Sequence, residues 1–229
     1  MTQRQAAIPE QVRDGFRLGR NIDHDERSKA FPARTAALES AQHKRHGHVF
    51  NQGNLGSCTG NAMAGSLMTD PLYAAGRHLT EKDAVSLYEK ATTLDPYPGT
   101  YPPTDTGSSG LAVAKAAKLA GYISSYQHAF GLQQALGALV VGPVITGVKW
   151  YTSFDTPEAT GEILLTPDAT VRGGHEFEVN GIDVEQKRVW CVQSWGPTWG
   201  GLGNGTFFMS FDTWGQLLSD QGDVTQFSV

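Results

Sequence analysis

Helix-period segments crowd the first half of the chain and strand-period segments the second, which predicts an α+β protein. The change of texture falls after Gly142-Pro143, where a dipeptide that breaks both element types separates an apolar helical run from VITGVKW. Size agrees: 229 residues with 39% hydrophobic and 18% charged residues can bury one substantial core without a metal or disulfide staple.

The elements follow in order. Residues 1–48 are polar and mixed in charge, with RNIDHDERSKAF in the middle, and read as an extension or strap with little regular structure. HKRHGH (43–48) lacks a Cys or carboxylate at ligand spacing, so a solvated basic linker is the favoured reading over a metal site. From Ser57 the pattern turns helical, with Ala62, Met63, Leu67 and Met68 on one face and a stop at Asp70-Pro71. Thr80 and Asp83 form a capping pattern ahead of Val85, Leu87 and Tyr88, which opens a second helix. A Pro/Gly-rich loop (94–110) precedes an Ala-rich helix over 111–121 that Gly121 stops, and a short helix covers 131–139. Beyond Pro143, VITGVKW, HEFEVNGID, RVWCVQSW, GTFFMSF and DVTQFSV read as strands, with a hairpin turning at 184–187. Helices first and strands second allow two lobes that meet at a cleft.

Charge and cysteine usage exclude several classes. Net charge is −5, which calls for neither nucleic acid nor anionic lipid as partner. The first residues carry no apolar core of a secretory signal, and the longest apolar run (135–148) is too short and too broken to span a bilayer. Two cysteines without such a signal suit a reducing compartment, so a cytoplasmic location is expected.

One of those cysteines stands in an unusual place. In NQGNLGSCTGNAMAG (51–65), Cys58 ends a Gly-containing loop and begins the predicted helix. A thiol at a helix N-terminus feels the positive end of the dipole, which favours thiolate, the attacking form. A buried small apolar residue is the competing reading, and it suits Cys191, inside RVWCVQSW, well.

Further blocks bear on the choice. Gln52-Gly53 through Gly56-Ser57-Cys58, then Gly173-Gly174-His175 at the start of a strand, then Ser194-Trp195-Gly196-Pro197-Thr198-Trp199-Gly200 occur in that order. Over residues 50–210 this series resembles the papain-like family of cysteine peptidases, in its short, disulfide-free bacterial or bacteriophage style. The resemblance implies a two-lobe fold: an N-terminal helical lobe (about 49–125), a C-terminal antiparallel β-barrel-like lobe (about 126–229), and the active-site cleft between them. It implies a cysteine-type endopeptidase acting on peptide or protein substrates, with no cofactor and no metal. Cys58 would be the nucleophile, His175 its imidazolium partner, and the Gln52 side chain with the Cys58 N–H the oxyanion hole. Trp195 would cover the hydrogen bond that orients His175. Gly107, Gly110 and Gly174 would offer backbone and room to an extended substrate. Apart from the resemblance, Val144 and Ile145, after Gly142-Pro143, could line an apolar pocket, although core packing is the commoner fate of such residues.

The chain departs from that family pattern in one catalytic position. Gln193 stands where the family has Asn; it offers the same acceptor and donor on a side chain one methylene longer. Gln193 is read as a substituted orienter. Two other functions stay open on the same residues: acyl transfer to an amine, and a non-catalytic peptide-binding relative. Thr59 and Leu55 also replace a usual Trp and a usual Cys. Two further motifs are decoys. Asp105-Thr-Gly-Ser matches an aspartic peptidase fingerprint but has no second copy with which to share a proton, and is read as a turn and helix cap. GGLGNG (200–205) leads into a strand, so it lacks the helix N-terminus of a phosphate loop. The sequence leaves oligomeric state open.

Overall fold

A helix covered on every side has no use for a polar face, and CTGNAMAGS meets that condition with small and apolar residues. In the computed structural model, which describes residues 5–229, these residues form α1 (Cys58–Ser66), and all of them are buried. Gly60 is required by its neighbour: a Cβ there would fall 2.1 Å from the Ala84 carbonyl oxygen of the next helix. The helix ends before the expected break at Asp70-Pro71, where Thr69 Oγ1 donates to the Gly65 carbonyl at 3.2 Å.

Two more helices pack on α1. In α2 (Glu81–Thr92), Asp83 reaches back to Thr80, accepting from its N–H at 2.8 Å and its hydroxyl at 2.7 Å. α3 (Gly110–Leu119) is capped by Ser109, whose hydroxyl accepts from Ala112 N–H at 3.1 Å, and Gly121 turns with φ +76° just past its end. Met63, Leu67, Leu87 and Val113 build a shared core for this side of the molecule.

The other side is a seven-stranded antiparallel sheet. Three two-residue strands, β1 (Gln5–Ala6), β2 (Ile22–Asp23) and β3 (Ala41–Gln42), lie in the N-terminal stretch; β1 pairs with β2, and β3 joins the sheet on β6. The main strands are β4 (Ser125–His128), β5 (Val144–Tyr151), β6 (Val171–Asp183), β7 (Arg188–Val192), β8 (Thr206–Ser210) and β9 (Asp223–Ser228). They run in the order β4-β9-β5-β6-β7-β8, an open sheet among the described residues. α4 (Leu132–Val141) and α5 (Phe211–Ser219) flank it, over a core of Trp150, Phe154, Phe177, Phe207 and Trp214. The predicted hairpin at 184–187 joins β6 to β7. β4 and α5 were not anticipated, although α5 carries a readable start signal: Ser210 Oγ accepts from Thr213 N–H at 3.0 Å.

HKRHGH is not a freely solvated linker, contrary to expectation. His46 pairs with Asp70 and His48 with Glu81, each at 2.9 Å, and the His43 ring meets the Leu139 carbonyl at 2.6 Å. Arg45 forms an ion pair with the buried Glu178, which also accepts from Thr69 Oγ1. Glu178 belongs to β6 and Thr69 follows α1, so this triad ties the helical side to the sheet. Breaking such a pair by removing one partner leaves an uncompensated buried charge. Arg45→Ala should therefore lower unfolding stability by about 3–5 kcal/mol. Denaturant unfolding checks this, and a loss below about 0.5 kcal/mol would remove the triad from its role as a tie.

Candidate functional site

Cys58 is the first residue of α1, directly after Ser57. Asp105 fixes the loop that leads to it, accepting from Gly56 N–H at 2.9 Å and from the Tyr88 hydroxyl at 2.6 Å. The Asp-Thr-Gly motif thus anchors the cysteine loop with a single carboxylate. Both cysteines are fully buried, but their surroundings differ. Cys191 is part of the apolar core under the sheet, whereas Cys58 belongs to neither apolar cluster. Burial pushes the Cys58 thiol well above its ordinary range, and the Glu176 charge pushes it further, against the backbone N–H groups of Glu176 and Thr59. The sulfur expected to be ionised is a thiol here, because desolvation outweighs the helix N-terminus.

His175 lies in β6, opposite Val148 of β5. Its Nε2 donates to Gln193 Oε1, and the same oxygen accepts from the Ser194 N–H at 2.9 Å, which fixes which way the amide points. The indole of Trp195 stacks on the imidazole with centroids 5.1 Å apart, and Trp150 meets it edge-on at 5.0 Å. Nδ1 is buried and has no hydrogen-bond partner among the described residues. Burial lowers the imidazole pKa to about 3, with the Gln193 bond opposing and Arg172 adding to the drop. The ring is neutral for the same reason that the thiol is.

Gln52 reaches this place through the loop that carries it. Residues 50–52 pair with 194–196: Gln52 N–H donates to the Ser194 carbonyl at 2.8 Å, and Gly196 N–H to that of Phe50 at 2.9 Å. Ser194 Oγ donates to Gln52 Oε1 at 2.6 Å, which orients the amide so that Nε2 points the other way. That nitrogen donates to the Leu55 carbonyl at 2.8 Å and the Leu18 carbonyl at 3.2 Å.

Leu18 belongs to a segment that sequence reading did not connect with the site. Residues 17–21 lie across it, with an isolated bridge between Arg20 and Ser108. Gly19 and Arg20 N–H both donate to the Gly174 carbonyl, at 3.0 and 2.9 Å, on one side. On the other, Ser108 N–H donates to the Gly19 carbonyl at 2.8 Å, and Asn21 N–H to the Ser108 carbonyl at 2.7 Å. Trp195 Nε1 donates to the Arg17 carbonyl at 2.8 Å. The fit is tight enough to exclude side chains: a Cβ on Gly19 would fall 2.2 Å from Gly56 O, one on Gly107 2.3 Å from Gly19 O, and one on Gly174 2.1 Å from Arg20 O.

Of the residues the sequence singled out, Cys58, His175, Gln193, Gln52, Trp195, Gly174 and Gly107 gather around this segment. Gly110 stands at a neighbouring spot, beside the carboxylates of Glu176 and Asp223. Val144 does not line a cavity: it is fully buried in the core under the sheet. Glu176, Asp223, Gly147 and Arg20 were missed. An acidic residue inside the apolar strand HEFEV was the available signal. Among the described residues, no group of three or more His, Cys, Asp or Glu could hold a metal, and no helix is long and apolar enough to cross a membrane.

Neither a protein-family model nor a curated protein sequence matches the chain. Solved structures do. Xylellain, a cysteine protease from Xylella fastidiosa, is similar over 100% of this chain and 99% of its own, with a TM-score of 0.65 at 17% identity. A digestive procathepsin L2 proteinase from the larval midgut of Tenebrio molitor is similar over 94% of this chain and 79% of its own, with a TM-score of 0.63 at 15% identity. A procathepsin B from Trypanosoma congolense covers 93% of this chain and 87% of its own, at a TM-score of 0.61 and 10% identity. The chain has a papain-like α+β two-lobe fold.

The packing of residues 17–21 makes a prediction about thiol reactivity. A limiting alkylating agent near pH 6 should modify Cys58 as slowly as Cys191 in the unaltered chain, since thiolate is the reactive form. Gly19→Val sets a side chain against Gly56 and should expel the segment, raising Cys58 labelling by about tenfold or more while Cys191 stays slow. Peptide mapping by mass spectrometry reads both rates, and fast Cys58 labelling in the unaltered chain would contradict the description.

Proposed function

We propose that the chain is a cysteine endopeptidase, described here in a latent state in which its own residues 17–21 occupy the substrate cleft. The observation that carries this is the Leu18 carbonyl on Gln52 Nε2 at 3.2 Å: a peptide carbonyl already rests on the donor assigned to the oxyanion. The backbone bonds to Gly174 and Ser108 are those an extended peptide substrate would make by strand addition.

Once the segment leaves, water and substrate reach the sulfur, and the desolvation that holds thiol and imidazole neutral is relieved. The Cys58 thiol gives its proton to His175 Nδ1, the ring nitrogen without a partner, while Nε2–H stays on Gln193. Sγ then forms a bond to the carbonyl carbon, and the C=O electron pair moves onto oxygen, stabilised by Gln52 Nε2 and the Cys58 N–H. Collapse of this tetrahedral species breaks the C–N bond, and the leaving amine takes the proton from His175. Water, deprotonated by the same nitrogen, cleaves the thioester and restores the thiol. Gln193 keeps the imidazole in the tautomer that leaves Nδ1 free to accept. Trp195, stacked on the ring, keeps water from that hydrogen bond.

In the Gly19→Val background, Cys58→Ala should abolish hydrolysis of a mixed peptide library. Gln52→Ala should lower turnover roughly 100-fold or more with little change in KM, as for loss of an oxyanion donor. Gln193→Ala should reduce turnover and leave a measurable remainder. Steady-state kinetics on one fluorogenic peptide checks all three. Unchanged turnover in Gln52→Ala would mean that the oxyanion is held elsewhere.

A further inference from the structure

Two carboxamides lie between α1 and the sheet, and each has one end left over. On Gln193, Oε1 accepts from His175 Nε2 and from the Ser194 N–H, so both of its lone pairs are engaged. That orientation turns Nε2, which carries two hydrogens, the other way. On Asn61, in the α1 turn that follows Cys58, Nδ2 donates to the Ser57 carbonyl at 2.9 Å and to Ser57 Oγ at 3.0 Å. Both of its hydrogens are engaged, which leaves Oδ1 as an acceptor. Gln193 Nε2 and Asn61 Oδ1 are buried without a hydrogen-bond partner among the described residues, and the two side chains are only 2% and 3% exposed.

Both amides line one small cavity, whose walls also include Arg45, Phe177, Glu178 and Val192. It encloses about 10 Å³, the least space that holds one water molecule. The charged and hydroxyl groups of the wall are already matched: Glu178 holds Arg45 and accepts from Thr69 Oγ1, and Ser194 Oγ donates to Gln52. What is unmatched is one donor group and one acceptor. A buried polar group without a partner costs stability, and a water bridge removes that cost for both at once.

We propose that this cavity binds one structural water joining Gln193 Nε2 to Asn61 Oδ1, and that Asn61 is thereby a positioning residue for His175. The water accepts from Nε2–H and donates to Oδ1, with the Glu178 carboxylate in the same wall as acceptor for its second hydrogen. The bridge links the two parts that carry the reacting groups, since Asn61 shares a helix with Cys58 and Gln193 holds His175. An amide pinned at its nitrogen end cannot turn its oxygen away from the imidazole. Gln has one more rotatable bond than Asn, and the bridge removes that added freedom. The task of Gln193 comes from the peptidase reading; the water site rests on the cavity and its two amides.

A crystal structure of the full chain, at a resolution that shows ordered water, should place one molecule within hydrogen-bonding distance of both atoms. Nitrogen-edited NMR of the same unaltered chain follows solvent exchange of the His175 Nε2 proton, a readout that needs no turnover. Asn61→Leu, similar in size but without the acceptor, should speed that exchange by about fivefold or more. Asn61→Asp, which keeps an acceptor oxygen, should bring it back to within about twofold of the parent. In the Gly19→Val background, Asn61→Leu should lower kcat by about fivefold with KM changed by less than about twofold. A dry cavity, or a water bonded to one amide alone, overturns the proposal. So does a loss of thermal stability in Asn61→Leu with proton exchange unchanged, which marks Asn61 as a merely structural residue. The crystal water is read on the unaltered chain, so it decides the site even where a variant fails to fold. Where no peptide is cleaved, the peptidase reading fails, and the water and the proton exchange still decide the bridge.

Discussion

The backbone of residues 19–21 is hydrogen-bonded to both walls of the cleft at once, to Gly174 on β6 and to Ser108 ahead of α3. The state of every chemical group in the site depends on that bridge. With it in place, Cys58 and His175 are buried, and burial holds the thiol and the imidazole neutral. A charged pair in such a setting requires either solvent or close hydrogen bonds to both partners, and His175 Nδ1 has none among the described residues.

The bridge is secured well beyond its four central hydrogen bonds. Leu18 packs into the apolar core beneath the sheet, where a Cβ on Gly173 would fall 2.6 Å from its Cδ1. Glu10 accepts from Leu18 N–H at 3.0 Å and pairs with Arg17, and the buried Arg172 donates to the Gln11 and Phe16 carbonyls at 3.0 and 2.6 Å. Arg172 also lies over Trp195, 5.5 Å from the ring centroid, so the residue that covers His175 is held by the same network. Lifting the segment means giving up these contacts together, which makes its departure cooperative rather than a matter of fraying.

Much of this was legible in the sequence and some of it was not. The order of helices and strands could be read because each element has a strong local cause, such as the Thr80/Asp83 cap or the proline after Gly142. Cys58, His175, Gln193 and Gln52 could be singled out because short motifs surround them. Their ionisation could not, since it depends on burial by residues about forty positions upstream of Cys58. The same holds for the two carboxylates beside Gly147: Glu176 and Asp223 meet there only through strand register, and no local pattern announces which residues three strands place side by side. Val144, in an apolar strand after a Gly-Pro break, follows the commoner fate of such a residue and packs in the core rather than a pocket wall.

Residues 19–21 are bonded to both walls of the cleft in the unaltered chain. Amide hydrogen exchange at residue resolution tests it most directly. Gly19, Arg20 and Asn21 should exchange as slowly as the amides of β5 and β6, because each donates to a buried carbonyl. Exchange of these three amides at the rate of an unstructured peptide, with β5 and β6 still protected, would show an open cleft and contradict the account.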